Sequence, residues 1–151
     1  MRITAKVDYA LRALAVLAAA GSTRTTGDVI AAEQGIPLHF LENILRDLKR
    51  SGIVDARRGS SGGYLLAVEP NRVTIADVIR IVEGPLADVH GDAPENVTYS
   101  GPAAALRDVW IAVRANLRAV LESVTLADVA TGRLPDSVAD LVRATDAWAR
   151  R

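Results

Sequence analysis

A chain of 151 residues with no cysteine excludes disulfides, thiol catalysis and thiolate metal sites. Its 18 Lys and Arg against 18 Asp and Glu exclude a uniformly basic or acidic surface, and with 50% apolar but only 4% aromatic residues the core must be built from Ala, Val, Leu and Ile. The longest apolar run, Ala13 to Ala20, is too short to cross a bilayer, and nothing resembles a signal peptide. A soluble cytoplasmic protein with no membrane partner is the expectation. The neutral total conceals an asymmetry: residues 1–72 carry 10 Lys/Arg against 7 Asp/Glu, and the remainder 8 against 11. The basic half is the one expected to meet an anionic polymer.

Thr4 is placed to cap a first helix with Val7, Ala10, Leu11, Leu14, Leu17 and Ala18 on one stripe, ended by Gly21. Thr26-Gly27-Asp28 opens a short second helix, Val29 to Gln34, closed by Gly35. Pro37 suits the first turn of a third helix, where the N–H it lacks would be unpaired anyway. Leu38, Leu41, Leu45 and Leu48 form its inward stripe, and Ser51-Gly52 ends it. Ile53-Val54 and Tyr64 to Val68 read as two strands around Arg57-Arg58-Gly59-Ser60-Ser61-Gly62-Gly63. Two short helices with about three residues between them, then a basic hairpin, describe a helix-turn-helix with a wing. Thr74-Ile75-Ala76-Asp77 then starts a helix with Ile75, Val78, Ile79 and Val82 inward, stopped by Gly84-Pro85.

Pro85, Gly91, Pro94, Gly101 and Pro102 make residues 85–102 a loop. The longest helix is expected from Ala103 to Val124. Its Leu106, Trp110, Val113, Leu117, Val120 and Val124 follow alternating steps of four and three, a heptad seam suited to pairing with a second subunit. Thr125-Leu126-Ala127-Asp128 begins a short helix ended by Gly132, and Asp136 to Trp148 form a tail helix using Val138, Leu141, Val142 and Trp148. The expected fold is mainly α with a small β-wing. It divides into a winged helix-turn-helix over 1–84, a loop over 85–102, a dimerisation helix with a short following helix over 103–132, and a tail over 133–151.

On the third helix His39, Glu42, Asn43, Arg46 and Arg50 share the face opposite the leucines. Asn pairs with adenine, Arg with guanine, and Glu accepts from cytosine, so such a face can read a major groove; an ordinary solvated face is the plainer alternative. In the wing, Arg57 can hold phosphate and the glycines and Ser60 let backbone N–H groups approach it closely. A nucleotide phosphate loop needs a Lys after its glycines, and none follows here. No catalytic residue is assigned: the two histidines lie 51 residues apart and no serine has a nearby His/Asp arrangement.

Several motifs then fall in one order. They are Met1-Arg2-Ile3-Thr4 with Lys6, Tyr9-Ala10 and Arg12-Ala13; Gly35-Ile36 with Phe40-Leu41-Glu42; and Leu48 with Ser51-Gly52-Ile53-Val54. Arg58-Gly59 with Gly62-Gly63-Tyr64, Thr74 to Val78 with Glu83-Gly84, and Thr125 to Asp128 complete them. In this the chain resembles the Rrf2 family of bacterial winged helix-turn-helix transcription regulators, the IscR, NsrR and CymR type. The resemblance implies a homodimer on a palindromic double-stranded DNA operator. It places base-reading residues at His39, Phe40 and Glu42, with Phe40 standing where the family usually has Tyr. It also sends Arg58 into the minor groove and makes Lys6 and Thr4 phosphate contacts.

Cluster-binding relatives carry three cysteines in the loop before the long helix; the corresponding positions here are Asp92, Thr98 and Ala104. Without thiolates no iron–sulfur cluster or other cofactor is expected. The reading is a DNA-binding regulator, a repressor, whose signal is a small-molecule or protein effector. Two alternatives stand beside it: a helical interaction module that kept the fold but lost DNA binding, and a metal-sensing regulator using His90, Asp88, Asp92 and Glu95 as ligands.

Overall fold

The computed structural model describes residues 2–144 and 147–149. Met1, Thr145, Asp146, Arg150 and Arg151, part of the first motif and of the tail, lie outside the described residues. Among those described, the order is α1 (Ala5–Ala20), α2 (Gly27–Gln34), α3 (Leu38–Arg50), β1 (Val54–Arg57), β2 (Gly63–Leu66), α4 (Ile75–Glu83), α5 (Leu106–Leu121), α6 (Leu126–Thr131) and α7 (Asp136–Arg143). The two strands form one antiparallel sheet.

Thr4 caps α1, its hydroxyl accepting from the Val7 N–H at 3.3 Å. α1 is the centre of the fold: α2, α3, α4, α6 and β2 all pack on it. Val7, Ala10, Ala13, Leu14 and Leu17 are buried, while Leu11 and Ala18, expected inward, lie at the margin of the core. A helix covered from several sides buries more than one stripe, which is why Ala13 joins the core.

Gly35 ends α2 in the left-handed region (φ 62°), and the N–H groups of Gly35 and Ile36 both return to the Ala31 carbonyl. Pro37 sits one residue ahead of α3, not within its first turn, and its carbonyl accepts from Phe40 and Leu41, each at 3.0 Å. α3 buries Leu41, Ile44, Leu45 and Leu48. Leu38, expected inward, is 37% exposed and rests over Gly27; Ile44 takes the inward place.

The hairpin is displaced from its expected bounds. β1 runs through Arg57, pairing Val54 with Leu66 and Arg57 with Gly63, so Arg57 belongs to a strand. Ile53 contributes only its carbonyl, which accepts from Ala67 at 2.8 Å.

Thr74 and Thr125 each build a full capping box with the Asp three residues on. The two caps lie side by side: Ile75 N–H donates to the Val124 carbonyl and Leu126 N–H to the Val73 carbonyl, each at 2.9 Å. This contact returns the chain from α5 to α1 and places Leu126, fully buried, in the same cluster as Leu14 and Leu17. α6, grouped by sequence with the dimerisation helix, is therefore part of the core around α1.

α5 is shorter than the Ala103–Val124 expected. A 3₁₀ turn occupies Gly101–Ala103, Ala105 offers no side-chain cap, and after Leu121 the chain turns, leaving Val124 outside the helix and buried. α7 ends at Arg143 because Ala144 leaves the helical region (ψ 133°), and the Trp148 indole donates to the Val142 carbonyl at 2.8 Å. The tail helix thus covers only part of Asp136 to Trp148.

Thr74→Ala removes an acceptor from the α4 cap and is expected to lower stability by about 1 kcal/mol, read as a fall in melting temperature. Burial would raise the Asp77 carboxyl, but hydrogen bonds from the Thr74 N–H and hydroxyl outweigh it and hold the group below its ordinary value of 3.8. The Thr125 hydroxyl and N–H lower Asp128 likewise. A carboxyl depressed in the folded state gives its full stability above the unfolded value and loses it as pH falls through the folded one. Acid melts should therefore show these contributions intact near neutrality and lost only below the ordinary carboxylate range.

Candidate nucleic-acid interface

The amphipathic spacing of α3 turns His39, Glu42, Asn43, Arg46 and Arg50 to the surface together. Asn43 is tied along the helix: its Nδ2 donates to the His39 carbonyl at 3.0 Å, and its Oδ1 accepts from Arg46 Nη1 at 2.9 Å. Phe40, 37% exposed, is held edge-on by Tyr9 of α1 at 5.8 Å between ring centroids. Arg12 in turn lies over the Tyr9 ring. Phe40 is therefore neither a core residue nor free, but an apolar edge fixed beside the exposed polar face. Arg50 is largely exposed, with Asp47 3.9 Å away.

Lys6, which the resemblance makes a phosphate contact, has internal partners. Its ammonium bonds Asp47 of α3 at 3.1 Å and reaches the Val82 carbonyl at 3.4 Å, linking α1, α3 and the end of α4. The Thr4 hydroxyl is engaged too, with Val7 and the Glu83 carboxylate. Lys6→Met is expected to lower the melting temperature while leaving the salt dependence of DNA binding unchanged. A fall of about one in the slope of log affinity against log salt would show that Lys6 exchanges Asp47 for a phosphate.

The wing is clipped to the body beside α3. Thr25 N–H donates to the Tyr64 carbonyl at 2.9 Å and Tyr64 N–H to the Thr25 carbonyl at 2.8 Å. Arg24 donates to the Gly63 carbonyl at 3.2 Å and pairs with Asp55 on β1. That pairing holds the Asp55 carboxyl below the usual range. Gly63 (φ 125°) must be glycine, since a Cβ there would come within 2.9 Å of the Thr25 carbonyl oxygen. Arg57, Arg58 and Ser60 at the tip are exposed, and neither arginine forms an ion pair among the described residues. Sequence reading missed Arg24, Thr25 and Asp55 as parts of the site. They lie 31 to 39 residues from their partners, and only pairing in space reveals them.

The candidate site thus consists of a helix with an exposed polar face and, anchored next to it, a hairpin bearing two guanidiniums without an ion pair among the described residues. The profile of Rrf2, described as an iron-dependent transcriptional regulator, matches residues 3–132. The chain belongs to the Rrf2 family.

CymR of Bacillus subtilis (strain 168) is 36% identical to this Rrf2 protein over 132 residues, covering 87% of this chain and 91% of its own. A candidate HTH-type regulator of Mycobacterium tuberculosis (strain H37Rv) is 50% identical over 142 residues, 93% of this chain and 88% of its own. Among solved structures, that of B. subtilis CymR, the global cysteine regulator of that organism, superposes with a TM-score of 0.75 at 34% identity over 87% of this chain and 98% of its own. T. potens IscR superposes with a TM-score of 0.69 at 29% identity, covering 100% and 93%. The protein is an HTH-type, DNA-binding transcriptional regulator, and its relatives are regulators, not enzymes. No helix among the described residues is long and apolar enough to cross a membrane.

The iron in the family description does not fit this loop. The chain has no cysteine. Asp88 accepts from the Gly91 N–H at 2.9 Å, and Glu95 pairs with Arg114 at 2.6 Å. Its own backbone N–H first, then Arg114, keep the Glu95 carboxyl below the usual range. His90 occupies the exposed tip of a two-residue turn (φ 56°) between Val89 and Asp92. Among the described residues no three His, Asp or Glu side chains converge as a metal site. The metal-sensing alternative through His90, Asp88, Asp92 and Glu95 therefore lacks its ligand set.

Proposed function

We propose that the protein is a cytoplasmic repressor that binds a palindromic operator as a homodimer, without an iron–sulfur cluster. α3 enters the major groove with His39, Phe40, Glu42, Asn43, Arg46 and Arg50, while the wing sends Arg58 to the minor groove and Arg57 and Ser60 to phosphate. The observation that carries this reading is the pair of exposed wing arginines, clipped by Thr25 and Arg24 beside the polar face of α3. These guanidiniums have no ion-pair partner among the described residues, and a polyanion supplies one. Their presence also disfavours an interaction module that has lost DNA binding.

Dimer pairing rests on α5. Leu106, Val109, Trp110 and Val113 are exposed large apolar groups on one helix, continued by the half-buried Leu117 and Val120. Val109, Val113, Leu117 and Val120, with Leu141 of α7, line an apolar groove that the described residues leave open. Val124, the last residue of the expected seam, is buried beyond α5 and takes no part in that exposed stripe.

Segment 85–102 joins the reading head to α5, so an effector, a small molecule or a protein, acting there would change the relative placement of the two heads and hence affinity. Footprinting of the full chain on genomic fragments tests the whole reading. The expected result is salt-sensitive protection of two half-sites a helical turn or a multiple apart, with higher transcription of the bound promoters when the protein is deleted. Protection of a single half-site, or of none, would contradict it.

A further inference from the structure

Asn on a recognition helix can read adenine only with both ends of its amide, donating through Nδ2 to N7 and accepting through Oδ1 from N6. In Asn43 each end of the amide already makes one bond along the helix, which sets the plane of the side chain. Nδ2 donates to the His39 carbonyl one turn back, and Oδ1 accepts from Arg46 one turn on. Turning the amide away from these two bonds to face a base edge would leave the Arg46 guanidinium without the acceptor that fixes its direction. Arg46 loses nothing by reading: a guanidinium has five N–H donors, and one bond to Asn43 leaves a fork to offer O6 and N7 of guanine. The i, i+3 spacing keeps the two side chains on one face of α3, opposite the buried Leu41, Ile44, Leu45 and Leu48.

We propose that Arg46 is a guanine-reading residue of this protein and that Asn43 is its positioning residue, not an adenine reader. This rests on the proposed DNA reading and adds which base is chosen and by which pair. The benefit of the arrangement is entropic. A long arginine side chain held at one point loses less freedom when it binds, so discrimination at its base pair is sharper than a free arginine would give.

The test is selection of bound sequences from a randomised duplex library by the full-length protein and by three variants, with the thermal melt of each variant checked against the wild type. Arg46→Ala should flatten a guanine preference at one position of each half-site, a loss of roughly 5- to 100-fold in discrimination. Asn43→Ala should weaken that same position by a smaller factor and leave adenine preferences unchanged. Asn43→Asp keeps the acceptor for Arg46 but cannot donate to N7, so it should retain the guanine preference while lowering affinity for all sequences.

Loss of an adenine position in Asn43→Ala, with the guanine position intact, would overturn the inference. So would an Asn43→Ala pattern identical to the wild type, or an Arg46→Ala variant that flattens no position. A wild-type protein that selects no sequence at all would instead overturn the DNA reading on which the inference stands.

Discussion

Val113→Glu is expected to convert the protein to a monomer and, with that, to lower operator affinity by about two to four orders of magnitude, the gain that linking two binding heads ordinarily supplies. Val113 lies in the middle of the apolar face of α5 and is 44% exposed in a single subunit. A carboxylate there is solvated in the monomer and should cost the isolated fold little. In a two-fold pairing through this groove the same carboxylate would be buried among Val109, Leu117 and Leu141, and its symmetry mate would meet it with like charge. Sedimentation equilibrium should show a single-chain mass with a melting curve still cooperative, and titration of an operator fragment should show the loss of affinity. A variant that stays dimeric and binds as before would place the subunit contact elsewhere.

The second large effect concerns the wing. Arg57→Ala and Arg58→Ala should each reduce the slope of log affinity against log salt by about one, since each guanidinium removed leaves one fewer counterion displaced from the DNA. Gly62→Ala should reproduce much of that loss with both arginines present. A Cβ at Gly62 would stand 2.4 Å from the Arg57 carbonyl oxygen and 2.7 Å from that of Gly59, both backbone atoms of the same turn. The turn must open, the Gly62 N–H to Gly59 carbonyl bond at 2.9 Å is strained, and the arginines are redirected. The tip is distant from the buried cluster, so the melting temperature should change little. Unchanged affinity and salt slope in all three variants would mean that the wing does not touch DNA.

The elements that could be read along the chain share one property, that their causes are local. Thr4, Thr26, Thr74 and Thr125 each satisfy an N–H within three residues, so the starts of α1, α2, α4 and α6 were legible. The polar face of α3 was legible because helical spacing sets it. The wing arginines were visible as residues, but not their anchoring. That depends on Arg24 and Thr25, which carry no signature in a stretch that reads as an ordinary loop. Lys6 shows the converse: its place near the start of α1 matched a phosphate contact, while its ammonium is held by Asp47, 41 residues away. The heptad count also ran past the helix, since the alternation of four and three continues to Val124 although the backbone has already turned.

By itself the sequence determined the class of the protein: a winged helix-turn-helix regulator whose motifs follow in family order and whose missing cysteines exclude a thiolate-held cluster. Tertiary structure alone decided which of the polar groups have internal partners. Lys6 and Thr4 have internal partners, Asn43 is tied to Arg46, and Arg57 and Arg58, on a clipped hairpin, form no ion pair among the described residues. The reason is that a helix or a turn is fixed by neighbours within four residues, whereas a charge is satisfied by whatever the fold brings within about 3 Å, at any distance along the chain.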